Sequence, residues 1–535
     1  MSYHMNLTPT LYSLILVIWS IFTLEASLNS TEPLNRHLSL ANIFCDHAVL
    51  QLGEPIEVWG KAKAKAELNL SFASKSYKVQ ADAQGQWSVF LDPCRSKDTL
   101  QLQVSSGDEQ ITIKDLRMGE VWLASGQSNM AFRVVQSDIQ KNYPKFDAQQ
   151  IRFFKSMVLI SKQPEDEIYG EWKIANKTNS RDFSAVAFSY AVELHKKTGR
   201  PVGVIQSARG GSRCETWVPN EQLDLDHEYY SYPMKFVHRF ERQNSKSIDA
   251  YYDRVAKWKE QNTLKATVSS PHEDFSGYII RKPYGLYNAM IHPLHRYKIK
   301  GAIWYQGEGN SGEPTAYAYL FPHMIKLWRE RWGYDFPFYF VQLPGFIRND
   351  LKTRKSKDFV LSDHYQTNIN DRQKWSVFRE AQGKALSLSN TGMAITLDTG
   401  DPLDVHPAEK AVIGYRLAQL ALKDTYDHDT IARGPHLSGK PSIQGECVTL
   451  TFDSAEGLKT SDGAPPKGFA LASENMRFHW ADQVSIKGNR IQLSSSQVAH
   501  PVAIRYAWVQ FPELNLYNAA GLPMEPFRTD TWELK

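Results

Sequence analysis

Val121-Trp122-Leu123-Ala124-Ser125-Gly126-Gln127-Ser128-Asn129-Met130 sets a run of apolar residues against a Gly-Gln-Ser turn. An unbroken apolar run of this length reads as a strand buried on both faces, and the polar residues after it read as a turn into a helix. A serine at that junction presents its hydroxyl at the open edge of a sheet, beside N–H groups that the first turn of a helix leaves unpaired. A plain helix-capping serine fits the same pattern. Three further runs end in the same way: Val202-Gly203-Val204-Ile205 before Gln206 to Ser212, Gly301-Ala302-Ile303-Trp304-Tyr305 before Gln306 to Asn310, and Met393-Ala394-Ile395-Thr396-Leu397 before Asp398 to Pro407. Helical spacing of apolar residues covers Ser184 to Lys197, stopped by Gly199 and Pro201, and Pro407 to Leu422, with proline in its first turn. Strand and helix alternate, which predicts a doubly wound α/β domain. Ligands of such folds sit beyond the carboxyl ends of the strands, so four polar loops from distant parts of the chain are expected to share one crevice.

Those loops supply a serine, a histidine among acids, and glycine and amide donors, the inventory of acyl transfer through a serine nucleophile. A serine hydroxyl needs an imidazole to take its proton, and the imidazole needs an acceptor for its other nitrogen. His406 is the expected base, with Asp404 and Asp401 two and five positions before it as orienting acids; spacing does not choose between them. His292, in Met290-Ile291-His292-Pro293, is the alternative base, without an acidic loop.

Gly126-Gln127-Ser128-Asn129-Met130, Trp304-Tyr305-Gln306-Gly307-Glu308-Gly309-Asn310 and Asp404-Val405-His406-Pro407 together resemble the sialate O-acetylesterases of the SGNH hydrolase superfamily. Phe44-Cys45-Asp46-His47-Ala48-Val49-Leu50-Gln51 resembles the opening of that family, and Pro501 to Trp508 with Asn515 to Asp530 resembles its closing segment, so the likeness runs over nearly the whole chain. The resemblance implies an SGNH-type, flavodoxin-like parallel-sheet hydrolase domain flanked by β-sandwich-like domains on both sides. It implies Ser128 as nucleophile and His406 as base, with the N–H groups of Ser128 and Gly211 and the side-chain amide of Gln306 facing the oxyanion; from its residue type alone Gln306 reads equally as a buried amide satisfying backbone groups at a strand end. Gln127, Asn129, Arg209, Arg213 and Glu308 are the expected substrate-binding side chains. Asp404 lies closer to His406 than the family's Asp-x-x-His spacing, which leaves Asp404, Asp401 or a backbone carbonyl as the third member. Where the family often has Ser-x-Trp-Gly-Gly-Thr, this chain has Ser207-Ala208-Arg209-Gly210-Gly211-Ser212. The cation in place of an aromatic ring leads to the expectation that Arg209 or Arg213 meets a carboxylate on the sugar, since a guanidinium pairs with carboxylates in bidentate fashion. The implied function is a serine carbohydrate esterase that removes O-acetyl groups, above all from 9-O-acetylated sialic acid, through an acetyl-enzyme. An acetylxylan or other polysaccharide deacetylase is the alternative within enzymes, and a carbohydrate-binding protein with an inactive hydrolase fold the alternative outside them.

A chain of 535 residues is too long for one core, and 42% hydrophobic with 22% charged residues is ordinary globular composition. A net charge of +4 with no basic stripe argues against a nucleic-acid partner. Leu11 to Leu24 is an apolar stretch of signal-peptide length followed by Ala26 and Ser27, so residues 1–27 are expected to direct export to the periplasm or medium, or to lysosome or exterior in a eukaryote. No Lys or Arg precedes the stretch, and an uncleaved N-terminal anchor is the alternative; no membrane contact is expected after cleavage. Of Cys45, Cys94, Cys214 and Cys447, only Cys45 and Cys94 share a predicted small domain and form a candidate disulfide; Cys214 reads as a buried free thiol. Metal and phosphate-binding motifs are absent, and no cofactor is expected. Alternating runs predict a β-domain over 35–115, then the α/β domain over 116–434 with a charged aromatic insertion at about 224–271, which reads as a wall of the cleft or equally as a plain surface excursion, and a second β-domain over 435–535.

Overall fold

The computed structural model describes residues 37–533 apart from 147, 223–230, 262–275, 348–368 and 371–373, so the expected export signal lies outside the described residues. Seven strands carry the site: β1 (Glu109–Gly126), β2 (Ile151–Ser156), β3 (Gly170–Ile174), β4 (Val202–Ala208), β5 (Gly301–Tyr305), β6 (Phe338–Val341) and β7 (Thr391–Ala394). Their order is β3-β2-β4-β1-β5-β6-β7, with every pair along it parallel except β3 with β2 at the edge, which is antiparallel. The second half of β1 and all of β4, β5 and β6 are buried, which is why these strands are continuously apolar instead of alternating. β1 stands between β4 and β5, where the chain order of the strands reverses direction, and its carboxyl end is the switch point at which such sheets hold ligands.

Helix α1 (Ser128–Ala131) follows β1 directly. The turn between them depends on Gly126, whose φ of +134° and missing Cβ let it pass against the carbonyl of Tyr305. Helix α2 (Ala185–Thr198) is capped by Ser184, which accepts from the Ala187 N–H at 3.1 Å, and ends at Gly199 with φ of +65°. Next come α3 (Ser231–Gln261), α4 (Pro314–Trp332), α5 (Lys374–Gly383) and α6 (Ala411–Asp424). The helix expected from Pro407 begins instead at Ala411. Asp138 Oδ1 accepts from the N–H groups of Lys410 and Ala411 at 2.9 and 3.0 Å, starting the helix there and leaving 407–410 as an extension of the histidine loop. α6 packs on α2, with Gly414 set against the Val186 carbonyl.

The additional β regions form several small sheets. Before β1, strands at Glu67–Phe72, Lys75–Gln80 and Leu100–Ser106 join the first half of β1, while Ser39–Leu40, Ile56–Lys61 and Gln86–Leu91 form a three-stranded sheet. After α6 there are two four-stranded sheets and one two-stranded sheet. The expected boundary at 115/116 falls inside β1, one continuous strand whose first half pairs antiparallel with Leu100–Ser106 and whose second half enters the parallel sheet. Asp115, with φ of +54°, marks the change. The cysteines Cys45 and Cys94 are free thiols, as are Cys214 and Cys447, so the candidate disulfide is not formed; burial pushes the Cys45 thiol up to about 11. Among the described residues no helix is long and apolar enough to cross a membrane.

Candidate active site

Ser128 is the first residue of α1, so its side chain leaves the sheet edge at the end of β1. Its Oγ lies 2.8 Å from Nε2 of His406, 278 residues away in the chain. The His406 ring is half-buried and packs nearly parallel to Phe132, centroids 6.4 Å apart at 19°. Burial lowers the imidazole pKa, Asp404 opposes that effect, and Lys410 reinforces it. Asp404 is the acid at the ring, but its contact differs from the expected hydrogen bond: Oδ1 accepts the main-chain N–H of His406 at 2.8 Å and sits 3.9 Å from Nδ1. Asp401 Oδ1 accepts instead from the N–H groups of Leu403 and Asp404, at 2.8 and 3.1 Å, and so shapes the loop.

The loop after β4 runs past the serine. A Cβ placed on Gly210 would stand 3.6 Å from that of Ser128, and Gly211, with φ of +73°, faces Ile280. Among the described residues no backbone acceptor takes the N–H of Ser128 or of Gly211. Both N–H groups are thus left without a main-chain partner on the loops that meet at Ser128. The insertion lies behind this loop through its described helix α3, where Glu241 accepts from Tyr278 Oη at 2.7 Å and from Lys282 Nζ at 2.8 Å. That segment in turn offers the Ile280 carbonyl to the Arg213 N–H at 3.0 Å.

Several expected ligands of substrate or oxyanion are turned inward. Gln306 is fully buried, and its Nε2 is directed at Asn310 Oδ1 (2.8 Å), Gln127 Oε1 (3.2 Å) and the Ser212 carbonyl (3.2 Å). This corrects the expectation that it donates to the oxyanion: three protein acceptors already surround the amide. Gln127, buried likewise, accepts from Gln306 and from the N–H groups of Gly307 and Gly309, at 3.4 and 3.1 Å, and ties the β5 loop to α1 instead of meeting substrate. Arg213 is corrected in the same sense. Its guanidinium pairs with Glu215 at 2.5 Å and with Glu313, and donates to the Gly309 carbonyl at 3.0 Å. Glu215 also accepts from Asn310 Nδ2 at 3.0 Å, which links Arg213 to the Gln306 network. Arg209, half-buried in the same loop, donates its main-chain N–H to the Gly126 carbonyl at 3.1 Å and Nη1 to the Gly210 carbonyl at 3.2 Å.

Asn129 and Glu308 also belong to the frame. Asn129 Nδ2 donates to Glu308 Oε1 at 2.5 Å and to the Val405 carbonyl at 3.0 Å, joining α1, the β5 loop and the histidine loop. Burial raises the Glu308 carboxyl pKa. His292 lies elsewhere, its Nδ1 at 2.9 Å from the Glu165 carbonyl. Sequence reasoning missed Phe132 and Lys410; the available signal was a lone lysine interrupting the approach to an apolar helix four residues after His406.

Three comparisons bear on this arrangement. The profile of a family described as "Carbohydrate esterase, sialic acid-specific acetylesterase" matches residues 118–251. Sialate O-acetylesterase of Mus musculus is 26% identical over 82% of this chain and 83% of its own length, and that of Homo sapiens 25% over 84% and 83%. The crystal structure of a carbohydrate acetylesterase from Xanthomonas citri superposes with a TM-score of 0.75 at 33% identity, covering 92% of this chain and all of that one.

Proposed function

The chain belongs to the sialate O-acetylesterase family and is a carboxylic ester hydrolase; on that premise we propose that it removes O-acetyl groups from sugars through an acetyl-enzyme on Ser128. Ser128 Oγ attacks the acetyl carbonyl while His406 Nε2 takes its proton. The imidazole then protonates the departing sugar oxygen. In the second half, the same nitrogen deprotonates water, which frees acetate and restores the hydroxyl. The N–H groups of Ser128 and Gly211 carry the charge of both tetrahedral intermediates. Asp404 keeps the histidine loop in shape through the His406 N–H and attracts the imidazolium as it forms. The observation that carries this reading is the 2.8 Å approach of Ser128 Oγ to His406 Nε2 at the switch point of the sheet.

For the substrate we take 9-O-acetylated sialic acid, with Arg209 as the partner of its carboxylate. The supports are the place of Arg209 one residue before Gly210 in the loop that passes Ser128, the engagement of Arg213 elsewhere, and the sialic acid specificity named for the matching family. Export through residues 1–27 accords with such a substrate. Acetate release measured on O-acetylated sialosides, acetylated xylooligosaccharides and a neutral aryl acetate tests the reading. Ser128→Ala abolishes all three, and Arg209→Ala lowers turnover on sialosides alone. Xylooligosaccharides hydrolysed faster than sialosides would replace the substrate, and full activity in Ser128→Ala would remove the mechanism.

A further inference from the structure

Lys410 is fully buried, four residues after His406 and at the edge of α6. Its ammonium donates to the carbonyl of Pro407, the residue bonded to His406. It also lies over the face of Phe132, 4.8 Å from the ring centroid, with the Tyr305 ring at 6.0 Å. Phe132 is the ring that packs on the imidazole. The ammonium thus touches the base's surroundings twice, through the next peptide and through one aromatic face. Burying an ammonium is costly, and packing alone could be served by an apolar chain of the same length. A charge retained in this position is better explained by what it does to its neighbour.

We propose that Lys410 is a positioning residue of this esterase: its buried ammonium, held by the Pro407 carbonyl and the face of Phe132, keeps the His406 loop against Ser128 and biases the imidazole to its neutral, proton-accepting form. The inference rests on the reading of Ser128 and His406 given above. The charged groups around the pair are few. Asp404 faces His406 from its own loop at 3.9 Å and favours the imidazolium, while Lys410 opposes it from the start of α6. Glu308 from the β5 loop, Asp138 from the segment after α1, and Asp404 and Glu409 from the histidine loop act on Lys410, and burial outweighs them, bringing its pKa down to about 8. Glu308 is directed to Asn129 by its Oε1. Ser128 completes the surroundings of the ring as its hydrogen-bond partner.

The test is kcat/KM for a neutral aryl acetate against pH in the full chain and in Lys410→Met and Lys410→Gln. Without the cation, the midpoint of the acid limb moves up by about half a pH unit to one unit in both variants, so that below the wild-type midpoint kcat/KM falls about 3–10-fold further than the plateau does. Lys410→Gln, whose amide can still donate to the Pro407 carbonyl, keeps more of the plateau than Lys410→Met. The limb is read within each variant, so a reduced folded fraction does not imitate the shift, and either variant alone suffices if the other does not accumulate. An acid limb at the wild-type pH in a folded variant overturns the inference. Labelling of wild-type Ser128 by a small fluorophosphonate, located by mass spectrometry, separates the two levels. A labelled, active wild type with an unmoved limb removes only the role of Lys410, whereas an unlabelled Ser128 removes the reading beneath it.

Discussion

Asn129→Ala cuts the brace that joins the serine helix to the histidine loop. The side chain is fully buried and donates twice, to Glu308 Oε1 at 2.5 Å and to the Val405 carbonyl at 3.0 Å. Stranding a buried acceptor costs about 1–3 kcal/mol, and this deletion strands two. It also removes Asn129 Oδ1, itself buried without a partner, which returns part of that loss. The net expectation is a destabilisation of about 2–3 kcal/mol. Activity should suffer more than stability. Val405 directly precedes His406, so freeing its carbonyl loosens the base by enough to cost about a hundredfold in kcat, with KM for a small aryl acetate within about twofold. Urea unfolding and steady-state kinetics on Asn129→Ala, Glu308→Gln and the double variant give the coupling between the two side chains, expected at about 1 kcal/mol or more. A wild-type kcat in Asn129→Ala, with a stability change below about 0.5 kcal/mol, would refute the brace.

His406→Ala lowers kcat by about 10³-fold or more, whereas His292→Ala, whose ring meets the Glu165 carbonyl, leaves it unchanged; the reverse pattern would exchange their assignments. Gln306→Leu strands the Ser212 carbonyl, while Gln127 Oε1 keeps the Gly307 and Gly309 N–H groups and Asn310 Oδ1 keeps the Cys214 N–H, and should lower unfolding stability by about 1–2 kcal/mol, a loss that an amide merely reaching toward the oxyanion would not produce. Gly211→Ala places a Cβ at 3.4 Å from Ile280 on a backbone with φ of +73°, costing about 1 kcal/mol in stability and lowering kcat as the N–H moves, which denaturation and single-turnover acylation together resolve. The Lys410 pKa of about 8 lies below its ordinary value of 10.5. Between those values the unfolded chain binds the proton that the native state has lost, so stability rises with pH through that window, and below it the full cost of the buried charge is present. Lys410→Met should therefore be more stable than wild type at pH 7, by an upper bound of about 3 kcal/mol, and a guanidinium titration at pH 7 and 9 checks both parts.

How much of this was legible in advance varies by residue. The strand ending at Gly126, the serine beyond it, and the glycine pair after Ala208 stood out because continuous burial leaves a continuous apolar run and a tight turn demands glycine. His406 was legible from an acidic, proline-bounded loop after the last apolar run. Gln306 and Arg213 were left undecided or misassigned because their residue types suit an oxyanion hole or a sugar carboxylate as well as they suit a buried brace. Only the positions of Glu215, Asn310 and Glu313 decide between those uses. Lys410 was passed over because a lysine before a helix is ordinarily solvated, and its burial depends on Phe132 and Tyr305, more than a hundred and more than two hundred residues earlier in the order Tyr305, Phe132.

By itself the sequence determined the apolar runs that become the second half of β1, β4, β5 and much of β7, and which chemistry-bearing side chains follow them, because burial periodicity and turn chemistry act over a few neighbouring residues; β2, β3 and β6 it did not mark. The tertiary structure alone decided which polar groups face the crevice and which face one another. A hydrogen-bond donor spends its capacity on whatever acceptor the packing brings within about 3 Å, and that partner is set by the meeting of loops hundreds of residues apart.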